Sequence, residues 1–147
     1  MEEKKADNRI IEVKKEININ EERLADSRKK LRGIEDLEEN FSHLNKNLNI
    51  CVEIINSSVK NKGVNKKINY MSEDSTIGFK RTSSSLYDEK EDTQKEIRNI
   101  NDQIDKLSDE IKEIYQELEE LRKEKEEKVE ETKEEKEIKE ETQENKE

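Results

Sequence analysis

Proline and tryptophan are both absent from this 147-residue chain, which has only three glycines, two phenylalanines and one cysteine. Each shortage excludes something. Without proline, nothing breaks a helix from inside or stiffens a turn. Apolar residues make up 27% and aromatics 3%, against roughly 45–50% apolar, glycine included, in ordinary globular domains. That is too little to fill a β-sandwich, a barrel or a doubly wound α/β sheet, whose layers must close around a common core. One cysteine, Cys51, cannot close an internal disulfide, so a reducing compartment is the simple expectation. The longest apolar-leaning run, Leu48 to Ile55, is interrupted by Asn49 and Glu53 and falls short of the about 20 residues that span a membrane. No apolar segment follows the charged stretch from Met1 to Lys5, so no cleaved secretory signal is expected. A cytoplasmic location follows, with signal-peptide-independent export left open.

Charge is what the chain has in plenty. Charged residues make up 48% and the formal net charge is −10. Residues 1–59 carry 11 Lys/Arg and 13 Asp/Glu, 60–83 carry six and two, and 84–147 carry 13 and 25. The middle segment is therefore the one basic stretch. An acidic surface does not seek the dense negative line of a nucleic-acid backbone, so no nucleic-acid partner is expected.

Periodicity supplies the strongest signal. Ile97, Ile100, Ile104, Leu107, Ile111, Ile114, Leu118 and Leu121 follow one another at spacings of 3 and 4 without a miss. A stripe so narrow, with charged and amide residues between its members, is a coiled-coil seam rather than the wider face of a globular helix. A weaker seam runs through Ile10, Val13, Ile17, Asn20, Leu24, Ser27, Leu31 and Ile34. It resumes as Leu37, Phe41, Leu44, Leu48, Cys51 and Ile55, which implies a slip of register and a bend near 33–37, beside Gly33. Ile50, Val52, Ile54 and Val59 widen the apolar face at the end of this helix.

The expected fold is all-α: a long antiparallel helical hairpin or coiled coil with a disordered acidic C-terminal tail. A first long helix occupies 1–59, a basic polar turn segment 60–85, a second coiled-coil helix 86–125 and a charged low-complexity tail 126–147. Gly63, Gly78 and the Thr82–Ser85 cluster suggest the long turn. Ser85, with Asp88 three residues on, reads as a capping box opening the second helix. In such a hairpin residue p of the first helix faces about residue 145 − p of the second, so Leu48 meets Ile97 and Leu24 meets Leu121.

Catalytic chemistry finds no foothold. A zinc site needs about four protein ligands, or three with an open position, and His43 with Cys51 supplies two. Carboxylates are everywhere, yet an acid or base needs a pocket to shift its pKa, and a chain with so few apolar residues builds none. No catalytic, metal or cofactor site and no small-molecule substrate are expected, and the chain is not expected to be an enzyme. What remains is apolar surface that no two-helix seam uses. The partner-binding residues are expected to be Leu48, Ile50, Val52, Ile54, Ile55 and Val59 at the end of helix one, with Met71, Ile77 and Phe79 in the basic turn. All three tyrosines also lie in Tyr-x-x-x-[Asp/Glu]: Tyr70 with Asp74, Tyr87 with Glu91, Tyr115 with Glu119.

Helix, polar turn, helix, with Tyr-x-x-x-[Asp/Glu] on the second helix, resembles the small α-helical WXG-type proteins of Firmicutes type VII secretion. More specifically it is similar to the small helical partners of LXG-type toxins, in Leu44 to Leu48 and Ile55 to Val59 and over about residues 20–121. It departs from the pattern at the turn, where Ile77-Gly78-Phe79 stands in place of Trp-x-Gly. The resemblance implies an accessory partner or chaperone of a secreted toxin. The residues by themselves imply a non-catalytic helical module that binds another helical protein or itself; the alternative is a coiled-coil spacer or a phage-type scaffold protein.

Overall fold

The computed structural model describes residues 3–144, which form two α-helices, α1 (Glu3–Ser58) and α2 (Lys62–Glu144). No strand occurs among the described residues. The all-α, antiparallel hairpin architecture is therefore what the chain adopts, but its turn and its register differ from expectation.

The turn is three residues long, residues 59–61, not the 26 of 60–85. Val59 N–H still donates to the Ile55 carbonyl at 2.8 Å. Asn61 then caps α2: its Oδ1 accepts the N–H groups of Gly63 at 3.0 Å and Val64 at 3.3 Å, two of the donors that a helix start leaves unpaired. Asn65 Nδ2 closes the turn by donating to the Val59 carbonyl at 2.9 Å. Residues 62–85, expected as a polar turn segment, are thus helical, and Ser85 is an exposed residue inside α2 rather than its cap. The physical reason is that nothing there forbids helix. Proline is absent, and an interior glycine costs only about 1 kcal/mol relative to alanine. Asn61→Ala is expected to cost about 1 kcal/mol of stability and Asn61→Ser almost nothing; urea denaturation followed by circular dichroism checks both.

The chain divides into two compact units, residues 1–20 with 102–147, and residues 21–101. In the first, Ala6 and Ile10 of α1 form a buried cluster with Leu118 and Ile114 of α2. Residue p accordingly faces about residue 124 − p, and the two segments run antiparallel. Arg9 Nε donates to Glu110 Oε1 at 2.7 Å, and Lys125 Nζ to Glu3 Oε1 at 3.1 Å. Its hydrogen bond to the Glu110 carboxylate holds the Arg9 guanidinium above its ordinary pKa. The described side chains from 126 to 134 are all exposed. The stretch expected as a disordered tail is helical up to Glu144; residues 145–147 lie outside the described residues.

In the second unit Leu24, Ser27 and Ile34 of α1 and Thr93 and Ile100 of α2 are buried. Phe41 meets Phe79 edge to face, with ring centroids 5.6 Å apart at 77°. Lys90 Nζ donates to Glu38 Oε2 at 2.7 Å, and Lys30 pairs with Glu89 at 3.0 Å. These pairs scatter about the same 124 − p rule. The expected register of 145 − p is off by 21 residues, which is three heptads.

The seams themselves can now be placed. On α2, Ile100, Ile114 and Leu118 are buried, while Ile97, Ile104, Leu107, Ile111 and Leu121 are half-buried. On α1 the inward residues beyond Ile34 are Glu38, Phe41, Asn45, Leu48, Val52 and Ile55, not Leu37, Leu44 and Cys51, which are exposed. The 3-4 rhythm of α1 is therefore unbroken, and α1 passes through Gly33 as continuous helix, with no slip at 33–37. The irregularity sits on α2 instead, where Phe79, Thr82, Leu86, Lys90 and Thr93 turn inward at spacings of 3, 4, 4 and 3. That is the insertion which locally unwinds a coiled coil.

Candidate functional site: an apolar edge of the second unit

One position in each heptad flanks the α1 seam along a single edge. From the N-terminus it is occupied by Arg9, Glu16, Arg23, Lys30, Leu37, Leu44 and Cys51. The first part of this series is charged and uses its charge: Arg9 reaches Glu110 in the first unit, and Lys30 reaches Glu89 in the second. Both cations are held above their ordinary pKa chiefly by those hydrogen bonds. After Lys30 the chemistry switches. Leu37 is 48% and Leu44 56% exposed, and Cys51 is also exposed.

α2 supplies the matching wall. Val64, Met71 and Gly78 recur at seven-residue steps, and all three are exposed. Met71 and Cys51 line a common cavity of about 140 Å³, together with Leu48, Val52, Ile55, Ile68, Ser72 and Ser75. The two stripes therefore share one side of the second unit. The cavity exists because short serines of α2 stand opposite the bulkier Leu48, Val52 and Ile55. The opposite edge is polar, and there Asn56 Nδ2 donates to Asn69 Oδ1 at 2.8 Å.

The expected partner-binding residues separate into three groups. Leu48, Val52, Ile55 and Met71 are brought together around the cavity. Phe79 and Val59 are half-buried, Phe79 against Phe41 and Val59 in the turn. Ile50, Ile54 and Ile77 are exposed and line no part of the cavity; Ile54, three residues after Cys51, borders the edge. Leu37, Leu44, Cys51, Val64 and Gly78 were not among the expected binding residues. Their signal was their seven-residue spacing, which on α1 lies one residue away from the true seam.

Other expected features find ordinary places. His43 is exposed, 3.6 Å from the Glu39 carboxylate, and no cluster of potential metal ligands occurs among the described residues. Tyr87 Oη donates to Glu91 Oε1 at 3.1 Å, which raises the phenol's pKa. At that tyrosine the Tyr-x-x-x-Glu spacing is an i,i+4 contact on one helix surface. No described helix is long and apolar enough to cross a membrane. Comparison with known proteins returns no match: no family model fits the chain, and neither a curated protein nor a solved structure is similar to it.

Proposed function

We propose that the chain is a non-catalytic helical protein-binding module that docks a partner helix along the apolar edge of its second unit. One observation carries this reading: the same heptad position that is ion-paired at Arg9 and Lys30 becomes uncharged and exposed at Leu37, Leu44 and Cys51. A spacer or scaffold rod has no use for such a switch, because a charged edge keeps apolar surface out of water at every heptad. Fully burying a leucine or methionine side chain is worth about 1.5–3 kcal/mol. Side chains already about half covered, such as Leu37 and Leu44, would gain roughly half of that each. On the resemblance to helical partners of LXG-type toxins, the docked helix belongs to a type VII secreted toxin and this chain is its accessory partner or chaperone.

Two double variants test the reading. Leu44→Ser with Met71→Ser strips the edge. Ile11→Ser with Ile19→Ser removes equally exposed isoleucines from the first unit. Both are expected to keep the helical circular dichroism of the parent. In size-exclusion chromatography of the tagged chain from its own cells, the edge variant is expected to lose its complex and the control to keep it. A complex retained by the edge variant, or lost equally by both, contradicts the proposal.

A further inference from the structure

We propose that the occupant of this edge is an amphipathic α-helix that is acidic along the flank lying over α2. This rests on the edge being a docking site and names the chemistry of what docks. Both walls present their uncharged positions at seven-residue steps, about 10.5 Å apart along a helix. Only another helix repeats apolar side chains at that interval on one face. The cavity between Cys51 and Met71, about 140 Å³, is close to the ~150 Å³ that holds a benzene ring. It therefore takes one large side chain of the partner, a leucine, methionine or phenylalanine.

The rim sets the charge. On α1 the residues three or four positions from Leu37, Leu44 and Cys51 on the outer side are Gly33, Asn40, Asn47 and Ile54, none of them charged. On α2 the corresponding neighbours of Val64, Met71 and Gly78 are Lys67, Asp74 and Arg81, two of them basic. Lys67 and Arg81 are exposed and have no ion-pair partner among the described residues. A helix laid on this edge brings its α2-side flank to these cations, where Asp and Glu are favoured. Two copies joined edge to edge would lay Lys67 and Arg81 either over the same cations or over the uncharged rim of α1 at Asn40 and Asn47, so self-pairing offers them no row of carboxylates.

The test uses the full chain and two synthetic 28-residue helical peptides with one identical leucine heptad seam, one flanked by Glu and one by Lys. The Glu-flanked peptide is expected to bind at least tenfold more tightly at low salt, with the gap narrowing at high salt. Lys67→Glu with Arg81→Glu is expected to reverse the order, and Leu44→Ser with Met71→Ser to bind neither peptide. Equal binding of both peptides that still depends on Leu44 and Met71 overturns the acidic chemistry while the docking edge stands. Binding of neither peptide, or undiminished binding to the Leu44→Ser, Met71→Ser variant, overturns the docking edge itself. A homodimer that dissolves in that variant makes the occupant a second copy and also overturns the inference.

Discussion

Ile100→Ala is expected to remove about 2–5 kcal/mol of unfolding free energy, whereas Ile54→Ala is expected to change it by less than about 0.5 kcal/mol. Ile100 is 1% exposed, and the 124 − p register sets it opposite the buried Leu24 within the second unit. Truncation there removes transfer free energy and leaves a void that two stiff helices cannot fully close. Ile54 is 57% exposed and has little packing to lose. A domain of this size holds about 5–15 kcal/mol in total, so the first change alone removes a large part of it. Urea titrations of the two variants decide the matter. Equal losses would mean that the inward face of the second unit is wrongly assigned.

Replacing Glu38 alone by Leu is expected to destabilise the second unit, and replacing both Glu38 and Lys90 by Leu is expected to leave it at least as stable as the parent. The two side chains meet inside the seam, 28% and 31% exposed, with Nζ to Oε2 at 2.7 Å. Removing one partner leaves the other charge unpaired in the seam, whereas two leucines replace the pair by apolar packing. The pair does not set the register. The three-residue turn, held by Val59, Asn61 and Asn65, fixes which residues face one another. At 145 − p Leu48 would face Ile97, but only if residues 62–85 left the helix. In a Cys51→Ser background, cysteines at 48 and 76 are therefore expected to cross-link and those at 48 and 97 not to, in the parent and in the double Leu variant alike. The Lys90 ammonium is held above its ordinary pKa of 10.5 by its hydrogen bond to Glu38. A raised pKa contributes stability that is complete below the ordinary value and is lost as pH rises through the raised one. The difference between the Glu38→Leu variant and the parent is therefore expected to shrink in alkali above that value. A double Leu variant that loses as much stability as the single one would contradict this reading of the pair.

Much of the fold was legible because isoleucine and leucine at strict 3-4 spacing in an otherwise charged helix have one physical reading. The seam from Ile97 to Leu121 shows this. The turn was not legible. Asn61 is one of 14 asparagines, and a cap declares itself only through hydrogen bonds to Gly63 and Val64. The first part of α2 hides its rhythm behind Asn65, Ser72, Ser75 and Thr82, polar residues that turn inward. Heptad spacing sets phase modulo seven, so misplacing the turn moved the register by three whole heptads and left every seam residue on the correct face of α2. On α1 two stripes run one residue apart, Leu37-Leu44-Cys51 and Glu38-Asn45-Val52. Apolar character favours the first as core, but Glu38 finds Lys90, so the second turns inward. An edge kept apolar for a partner looks like core for the same reason that it binds.

Cys51 makes the central claim directly measurable, since it is the chain's one thiol and stands exposed on the apolar edge. The quantity to measure is the alkylation rate of Cys51 in the full chain, alone and saturated with the Glu-flanked helical peptide. Alone, the rate is expected to match that of an unhindered thiol and to be independent of protein concentration. With the peptide bound it is expected to fall at least tenfold, and to recover in the Leu44→Ser, Met71→Ser variant. A thiol that reacts equally fast in the bound complex, or that is already protected in the dilute chain alone, would contradict the account.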